Sequence, residues 1–413
     1  MIIGNLLTIV NCYLFNYYDI IKKDKISEEF MPTFFNEVFE DASPVAPLGL
    51  LVLDGAKDLG KKIDDYLVEW YNQDVGNKNP KFKKKSFIID SVCPRFTSGD
   101  GKGMINESVR GDDIYIICDV GNFNCTYTLF GQTNHMSPDD HYADLKRVIA
   151  ACGGKTERIT VVMPMLYGGR QHRRNGRESL DGAQMLQELY SMGVKDIITF
   201  DAHDPRIQHA VPLMGFDNFF PTYQIMKALL ANFPTINLDK DHFMIVSPDE
   251  GAMARNVYYA SVLGVDLGMF YKRRDYTKVV NGKNPIVAHE YIGVDVKGMD
   301  ILVADDIIAT GDSVIRLCKE LKEKGCGKIF LTATYGLFTE GFKKFDEAYE
   351  QGLFTAVLST NLTYNRPELL AKPWYVGADL SKFIAYIISS CNQNKSVTPL
   401  MSSADRIHEL LGK

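Results

Sequence analysis

The sequence predicts an α/β protein of two domains, each a mostly parallel β-sheet flanked by helices. With 413 residues, the chain is longer than one typical domain. Short, continuous apolar runs rich in β-branched residues alternate with helical stretches along it. This alternation is typical of parallel strands that are covered on both faces. The runs are too many for one small sheet, so we expect two sheets.

The candidate strands share an apolar run that leads into polar residues or a turn. They are residues 49–55, 112–119, 158–166, 196–201, 242–249, 300–306, 328–336 and 354–360. Ligands of open α/β sheets bind beyond the carboxyl ends of the strands. The residues that end these runs are therefore the first candidates for a functional site.

Helical periodicity predicts helices between these strands, at residues 57–71, 179–194 and 313–325. Residues 72–85 are polar and rich in lysine, and they predict a loop with a solvated surface.

Residues 1–46 predict an extension that ends in a linker around Pro44 and Pro47. Its first 23 residues are apolar, but asparagines interrupt them. They also lack an early positive charge and a cleavage site of small residues. We therefore expect a segment that packs onto the main body rather than a signal peptide or a membrane anchor.

Charge and cysteine content argue against several classes of protein. The net charge of −6 argues against a general nucleic-acid binder, which is usually basic. The eight cysteines are scattered, with no CxxC pair and no Cys/His cluster at zinc spacing. This usage predicts reduced thiols in the cytoplasm rather than disulfides or a zinc site.

Two adjacent carboxylates, Asp305 and Asp306, end one candidate strand, and a turn of small residues then opens a helix. Buried carboxylates are costly unless they bind something. Backbone N–H groups at a helix N-terminus bind phosphate well. The pattern predicts a sugar-phosphate site, and the alternative is a plain strand end with Asp312 or Ser313 as the helix N-cap.

Two further segments are rich in cations. Residues 165–180 carry four arginines among glycines after a candidate strand. Arginine suits polyphosphate because it stays charged and binds oxygens in pairs. A basic triplet, residues 272–274, follows another strand. On its own, each segment is also consistent with a solvated surface.

The segment VADDIIATGDS (303–313) resembles the phosphoribosyl-pyrophosphate loop that type I phosphoribosyltransferases share with ribose-phosphate pyrophosphokinases. The resemblance implies two tandem type I phosphoribosyltransferase-like domains. It assigns the binding of ribose 5-phosphate to Asp305, Asp306, Ala309, Thr310, Gly311, Asp312 and Ser313.

Other segments resemble the pyrophosphokinases specifically. SPDEGAMARN (247–256) and TFDAHDPRIQHA (199–210) are similar to the family's metal-binding segments, which implies Asp249 and His203 as Mg²⁺ ligands. The arginine-rich loop is similar to the family's ATP-binding segment. That similarity implies Arg170 and Gln171 as ATP contacts.

Two more segments complete the resemblance. Residues 94–117 resemble the loop that supplies adenine contacts to a neighbouring subunit, which implies Phe96, Ser98, Gly99 and Asp100 as ATP-binding residues. Residues 270–279 resemble the catalytic flexible loop. There Lys272 and Arg274 would stabilise the transferring group.

The resemblance runs from about residue 49 to the end of the chain. It implies an N-terminal domain with the ATP loops at 47–220 and a C-terminal domain with the ribose 5-phosphate loop at 221–389. The segment 390–413 would join the N-terminal domain.

The implied activity is that of a ribose-phosphate diphosphokinase. It would transfer the β,γ-diphosphoryl group of ATP to the C1 hydroxyl of ribose 5-phosphate, giving 5-phosphoribosyl 1-pyrophosphate and AMP for nucleotide biosynthesis. The resemblance implies Mg²⁺ as cofactor, inorganic phosphate as a candidate activator, and a homo-oligomer of dimers, assembled into a hexamer.

Two alternatives are a phosphoribosyltransferase and a non-catalytic regulatory homologue. The first would not need the arginine-rich ATP loop or the pair of metal ligands. The second should have lost Lys272, His203 or the phosphate turn, and all three are present.

The chain departs from the family pattern at four of these positions. Ser98 and Ala309 stand where aspartate is usual, Asp100 where glutamate is usual, and His172 where aspartate follows the Arg-Gln pair. The catalytic loop is also longer. These departures bear on adenine affinity, nucleotide preference and regulation rather than on the reaction.

Overall fold

The computed structural model describes residues 44–174, 176–274 and 286–412. Its strands, in chain order, are β1 (Leu48–Val52), β2 (Ser91–Val92), β3 (Met104–Ile105), β4 (Asp113–Ile117), β5 (Thr126–Leu129), β6 (Gln132–His135), β7 (Arg158–Val162), β8 (Asp196–Phe200), β9 (Gly215–Phe219), β10 (Phe243–Ser247), β11 (Asp266–Arg274), β12 (Ile286–Ile292), β13 (Asp300–Ile308), β14 (Ile329–Gly336), β15 (Ala356–Thr360) and β16 (Tyr375–Ala378).

The helices, numbered in the same way, are α1 (Lys57–Tyr71), α2 (Pro138–Cys152), α3 (Asp181–Ser191), α4 (Thr222–Asn232), α5 (Met253–Leu263), α6 (Asp312–Glu323), α7 (Lys343–Glu350), α8 (Pro367–Leu370), α9 (Ser381–Asn392), α10 (Thr398–Met401) and α11 (Ala404–Leu410). The predicted packing of the N-terminal extension falls on residues before 44, outside the described residues.

The N-terminal half forms a five-stranded sheet in the order β1-β4-β7-β8-β9, with every neighbouring pair parallel. Its inner strands are apolar along nearly their whole length, because helices cover both faces and bury every residue except the first of β7 and of β8. The carboxyl ends of these strands therefore meet at one edge of the sheet.

The C-terminal half forms a seven-stranded sheet in the order β12-β11-β10-β13-β14-β15-β16. Its pairs are parallel except for the antiparallel pair of β11 and β12. Two sheets of this kind, flanked by helices, confirm the predicted fold class.

One hydrophobic core continues through both halves. It combines one face of each sheet with α1 and α9, and α9 is buried almost all round. Separate cores fill the outer face of each sheet. At its C-terminal end α9 binds the first sheet, because Arg158 donates to the carbonyl of Cys391 at 2.9 Å and Asn392 donates to Asp113 at 2.9 Å.

The end of the chain contacts both halves, since α10 packs against β9 of the first sheet and α11 packs against α4 and α5. The proposed domain boundaries, including the assignment of 390–413 to the N-terminal domain, stay predictions.

The structure corrects several local predictions. The loop prediction at 72–85 was wrong for Asn72–Gly76, which continue α1 as a turn of π-helix. No proline interrupts the helix before that point, and its one glycine, Gly60, lies in the first turn. The Asn72 side chain also closes the segment by two bonds to the main chain of Lys84. The strands β9 and β16 escaped prediction because they lie at sheet edges and lack a continuous apolar run.

Within the described ranges, no helix is long and apolar enough to cross a membrane. The cysteines of the same ranges are free thiols.

Candidate active site between the two sheets

A cleft of about 730 Å³ lies where the carboxyl ends of both sheets face each other. The N-terminal half contributes residues that follow β4, β7 and β8, and the C-terminal half contributes residues at the ends of β13, β14 and β15. This is where ligands bind in open α/β sheets. Arg170, Gln171, His203 and Asp306 all line the cleft, so the structure brings these four predicted residues together.

A histidine–carboxylate pair joins the two halves inside the cleft. The Nδ1 atom of His203 lies 2.7 Å from Oδ2 of Asp306. This hydrogen bond raises the pKa of His203, against the opposing effect of burial. Because a carboxylate only accepts hydrogen bonds, Nδ1 carries the proton in the neutral ring, and Nε2 keeps its lone pair.

The predicted carboxylates cluster around one arginine. The Nη1 atom of Arg255, on α5, lies 3.8 Å from Oδ1 of Asp305. Burial raises the pKa of Asp305, and the neighbouring charges of Asp306 and Asp249 add to this rise. Asp249 follows β10, where its carboxylate accepts the N–H of Ala252 at 3.2 Å. The cluster therefore concentrates negative charge beside the cleft.

The strand that carries Asp305 and Asp306 is longer than predicted. It ends at Ile308, because pairing with β14 continues to that residue, whereas pairing with β10 stops at Leu302. Beyond Leu302, β13 therefore has no strand partner on the β10 side. The two carboxylates lie inside the strand rather than at its end.

The turn after this strand is fixed by packing and by backbone geometry. Gly311 has φ of +88°, and a Cβ there would lie 2.4 Å from the ring of Phe345. The carbonyl of Ala309 accepts the N–H of Thr339 at 3.0 Å. Gly311 is the N-cap of α6, so the expectation that Asp312 or Ser313 would cap it was wrong.

The amide groups that open α6 have little side-chain competition. The N–H of Asp312 makes a long bond, 3.4 Å, to the hydroxyl of Thr310. The carboxylate of Asp312 pairs outward with Lys344 at 2.7 Å. The turn keeps the form of an anion-binding helix N-terminus.

The predicted adenine-binding residues do not line the cleft of their own chain. Phe96 is 59% exposed, on a turn closed by two backbone hydrogen bonds between Phe96 and the residues Gly99 and Asp100. The hydroxyl of Ser98 donates to the carboxylate of Asp100 at 2.7 Å. This turn therefore presents its aromatic ring to the outside of the molecule.

Lys272 and Arg274 lie on β11, in the antiparallel ribbon with β12. Their side chains, and residues 275–279 of the predicted catalytic loop, lie outside the described residues. Their predicted role stays a prediction.

Comparisons with known proteins place the chain in one family. A family model described as the N-terminal domain of ribose phosphate pyrophosphokinase matches residues 48–193, and one described as a phosphoribosyl transferase domain matches residues 223–348. Together they cover well over half of the chain. The chain belongs to the ribose-phosphate pyrophosphokinase family.

Curated members of the family extend over most of the chain. The ribose-phosphate pyrophosphokinase of Shewanella oneidensis is 29% identical over 340 residues, which cover 79% of this chain and 98% of the relative. That of Vibrio cholerae is 28% identical over 319 residues, which cover 76% and 91%. The chain is accordingly a transferase of the ribose-phosphate pyrophosphokinase type.

The fold agrees with a solved member of the family. The crystal structure of phosphoribosylpyrophosphate synthetase from Mycobacterium smegmatis matches with a TM-score of 0.66. The match covers 84% of this chain and 99% of that one, at 19% identity. The shared fold is therefore conserved despite low sequence identity.

In this pyrophosphokinase, sequence reasoning missed several residues that shape the site. They are Asp119, Asp201, Arg255, Tyr335 and Arg366. A signal existed for Asp119 and Asp201, since each ends a candidate strand as Asp306 does. Arg255, Tyr335 and Arg366 had no such signal, because their partners are far away in sequence.

Proposed function

We propose that this protein is a ribose-phosphate diphosphokinase that makes 5-phosphoribosyl 1-pyrophosphate and AMP from ATP and ribose 5-phosphate. One observation carries the proposal. His203, Arg170 and Gln171 from one sheet and Asp306 from the other line a single cleft, next to the turn that opens α6. A cleft between two domains can hold two substrates so that their reacting atoms meet.

In the proposed reaction, the C1 oxygen of ribose 5-phosphate attacks the β-phosphorus of ATP. The bond between the β-phosphorus and the oxygen that bridges to the α-phosphorus breaks, so AMP leaves and the hydroxyl proton passes to solvent. The turn Ala309–Ser313 would hold the 5-phosphate. Asp305 and Asp306 would accept hydrogen bonds from the ribose hydroxyls.

The ATP side of the site would rely on charge. Arg170 and Gln171 would bind the polyphosphate chain. Lys272 and Arg274 would stabilise the negative charge that spreads over the transferring group. Positioning and electrostatics account for most of the catalysis in phosphoryl transfer.

His203 and Asp249 would hold Mg²⁺. The donor set fits, because the bond to Asp306 orients the imidazole and leaves Nε2 free to bind a metal, as in many His–carboxylate pairs at metal sites. The excess of carboxylates around Arg255 also favours a divalent cation. When bound, Mg²⁺ supplies positive charge to the phosphate oxygens.

We further propose a homo-oligomer of dimers, assembled into a hexamer, in which the exposed turn of Phe96, Ser98, Gly99 and Asp100 contacts the ATP of a neighbouring subunit. The 59% exposure of Phe96 supports this. Light scattering after size exclusion measures the oligomeric state.

The free thiols support a cytoplasmic location. Activation by inorganic phosphate remains a proposal to test by adding phosphate to the assay.

The test is AMP formation from ATP, Mg²⁺ and ribose 5-phosphate, followed by ³¹P NMR. We expect AMP only when the sugar phosphate is present. Lys272→Ala should lower the rate at least about 100-fold, since it removes a cation from the transition state. The control is Lys240→Ala, which removes an exposed lysine near the start of β10.

ADP in place of AMP would mean transfer of one phosphoryl group and would contradict the proposal. Folded wild type that makes no AMP, with and without added phosphate, would contradict it as well.

A further inference from the structure

Arg366 is a cation of the cleft that the proposed mechanism does not use. It lies in the loop between β15 and α8, directly before Pro367, and it lines the cleft from the C-terminal half. Its Nη2 atom donates to the carbonyl of Phe338 at 2.8 Å. This bond anchors one end of the guanidinium at the end of β14.

Aromatic rings hold the guanidinium of Arg366 in place. Its central carbon lies 4.1 Å from the ring centre of Phe342 and 5.5 Å from that of Phe123. Phe342 belongs to the C-terminal half and Phe123 to the N-terminal half, so the arginine sits at the junction of the two. Stacking fixes the plane of the fork before any ligand arrives, and such an arginine binds oxyanions with little further ordering.

The charge of Arg366 has no acidic partner among the described residues. No carboxylate there lies within 4.0 Å of its nitrogen atoms. The nearby buried carboxylate of Asp119 is instead bonded to Thr363 and to the N–H of Tyr364. The donors that Phe338 does not use are therefore available to an anionic ligand in the cleft.

We propose that Arg366 binds a phosphate group of the nucleotide substrate. The inference rests on the proposed function. Arg170 and Gln171 line the same cleft from the opposite half, so an anionic chain between them and Arg366 would contact both halves. The 5-phosphate of the sugar has its own group of amides at the start of α6, and it does not need this arginine.

The test is equilibrium binding by calorimetry, without turnover. The probe is an ATP analogue with a methylene bridge between its α- and β-phosphorus atoms, together with Mg²⁺. Arg366→Gln should raise Kd about 10- to 100-fold, the range expected for one charged hydrogen-bonding partner. The Kd of Arg366→Lys should lie between those of the wild type and Arg366→Gln, because an ammonium group keeps the charge but cannot bind two oxygens as the guanidinium does.

Arg406→Gln is the matched control. Arg406 is stacked in the same way, 5.3 Å from the ring centre of Tyr223 and 5.7 Å from that of Phe383, and it donates to main-chain carbonyls. It does not line the cleft. We expect it to leave Kd within about threefold, since it lies outside the cleft. An unchanged Kd in Arg366→Gln would overturn the inference.

A second control separates binding from a merely structural role. Phe123→Leu removes the aromatic contact of Arg366 across the junction but leaves its charge in place. Kd for the analogue should then rise by no more than about threefold, because the closer ring of Phe342 still holds the guanidinium. A rise equal to that of Arg366→Gln would mean that the arginine acts by holding the halves together. That result would overturn the inference. Arg366→Gln that binds ribose 5-phosphate more weakly but binds the analogue as the wild type does would overturn it as well.

The failure of this inference is distinguishable from failure of the proposed function. Wild type that makes AMP, with an unchanged Kd in Arg366→Gln, overturns the inference alone. Wild type that makes no AMP, with analogue binding that depends on Arg366, overturns the proposed function and supports the inference.

Discussion

Asp119 and Asp201 are equally buried carboxylates, but different kinds of partner compensate for the burial of their charges. Each closely follows a strand of the N-terminal sheet, β4 for Asp119 and β8 for Asp201, is 3% exposed and accepts hydrogen bonds from the C-terminal half. Asp201 pairs with the guanidinium of Arg255 through contacts of 2.7 and 2.9 Å and accepts the hydroxyl of Thr334 at 2.6 Å. Among the described residues, Asp119 has only neutral donors.

The neutral donors of Asp119 do not fully compensate for its burial. They are the N–H of Gly121 at 2.8 Å, the N–H of Tyr364 at 2.9 Å and the hydroxyl of Thr363 at 3.1 Å. Burial raises the pKa of Asp119 to about 6, and these three bonds act against that rise. A buried carboxylate without a cation is thus sensitive to pH, while the one beside Arg255 is held by an ion pair.

The ion pair also maintains an unfavourable backbone conformation. Asp201 has φ of +45°, which is uncommon for a residue other than glycine. Burial lowers the pKa of Arg255, but the charge of Asp201 more than offsets this, and the pKa ends above its usual value. Contacts that cross between the halves therefore help to hold Asp201 in this uncommon conformation.

The largest expected effect comes from removing the cation that pairs with Asp201. Arg255→Gln leaves the buried carboxylate of Asp201 without a cation. We expect the free energy of unfolding to fall by about 3–5 kcal/mol, as for other broken buried ion pairs. Urea denaturation measures it. Lys61→Gln, which breaks an exposed pair with Asp65, should cost about 1 kcal/mol or less. Similar losses in both variants would contradict the argument.

The next effect concerns the pH dependence of Asp119. With a pKa of about 6 when folded and an ordinary value of 3.8 when unfolded, its protonated form favours the folded state. That stability is present below about pH 4 and is lost as pH rises through about 6. It amounts to about 3 kcal/mol.

Asp119→Asn removes this titration. From pH 4 to pH 7, the free energy of unfolding of the wild type should fall relative to that of the variant, by up to about 3 kcal/mol. Urea denaturation across this range measures the difference. Parallel curves for the two proteins would show that Asp119 does not titrate there.

A smaller effect concerns the two threonines whose hydroxyl groups donate to these carboxylates. Thr363→Val and Thr334→Val each remove a hydroxyl donor to a buried carboxylate, and each should cost about 1.5–3 kcal/mol at pH 8. At pH 5 the cost of Thr363→Val should shrink, because Asp119 is then mostly neutral. Denaturation at the two pH values tests this. An equal cost of Thr363→Val at pH 5 and pH 8 would contradict the argument.

The smallest effect removes a neutral contact at the same junction. The hydroxyl hydrogen of Tyr335 is shared between the main-chain carbonyls of Pro164 and Phe200, the latter at 2.6 Å. Tyr335→Phe should cost about 1 kcal/mol, the value of a neutral hydrogen bond. Its cost should be the same at pH 5 and pH 8. A loss as large as that of Arg255→Gln would mean that charge is not what distinguishes these contacts.

Much of the fold was predictable from local pattern. The helix at 57–71 has the predicted bounds, and its buried residues Leu59, Ile63, Leu67 and Trp70 follow helical spacing. The apolar runs all became strands of the two sheets. The misses fell on edge strands, on the two small sheets β2–β3 and β5–β6, and on Asn72–Gly76, where local signals are weak.

The site was only partly predictable. The order of motifs along the chain indicated His203, Asp306, Arg170 and Gln171, and the structure brings these four residues into one cleft. The turn of Phe96 lies outside that cleft, and its predicted role depends on a neighbouring subunit. The side chains of Lys272 and Arg274 are not described, so their role awaits measurement.

The sequence by itself determined the two α/β halves, the turn that opens α6 and the family, because these depend on residues close together along the chain. Gly311, for example, is required by its own backbone angle. Only the tertiary structure decided which carboxylates meet a cation. Arg255 lies 54 residues from Asp201, and Thr363 lies 244 from Asp119. No local pattern encodes such pairs, because packing of the two halves across their shared core places them in contact.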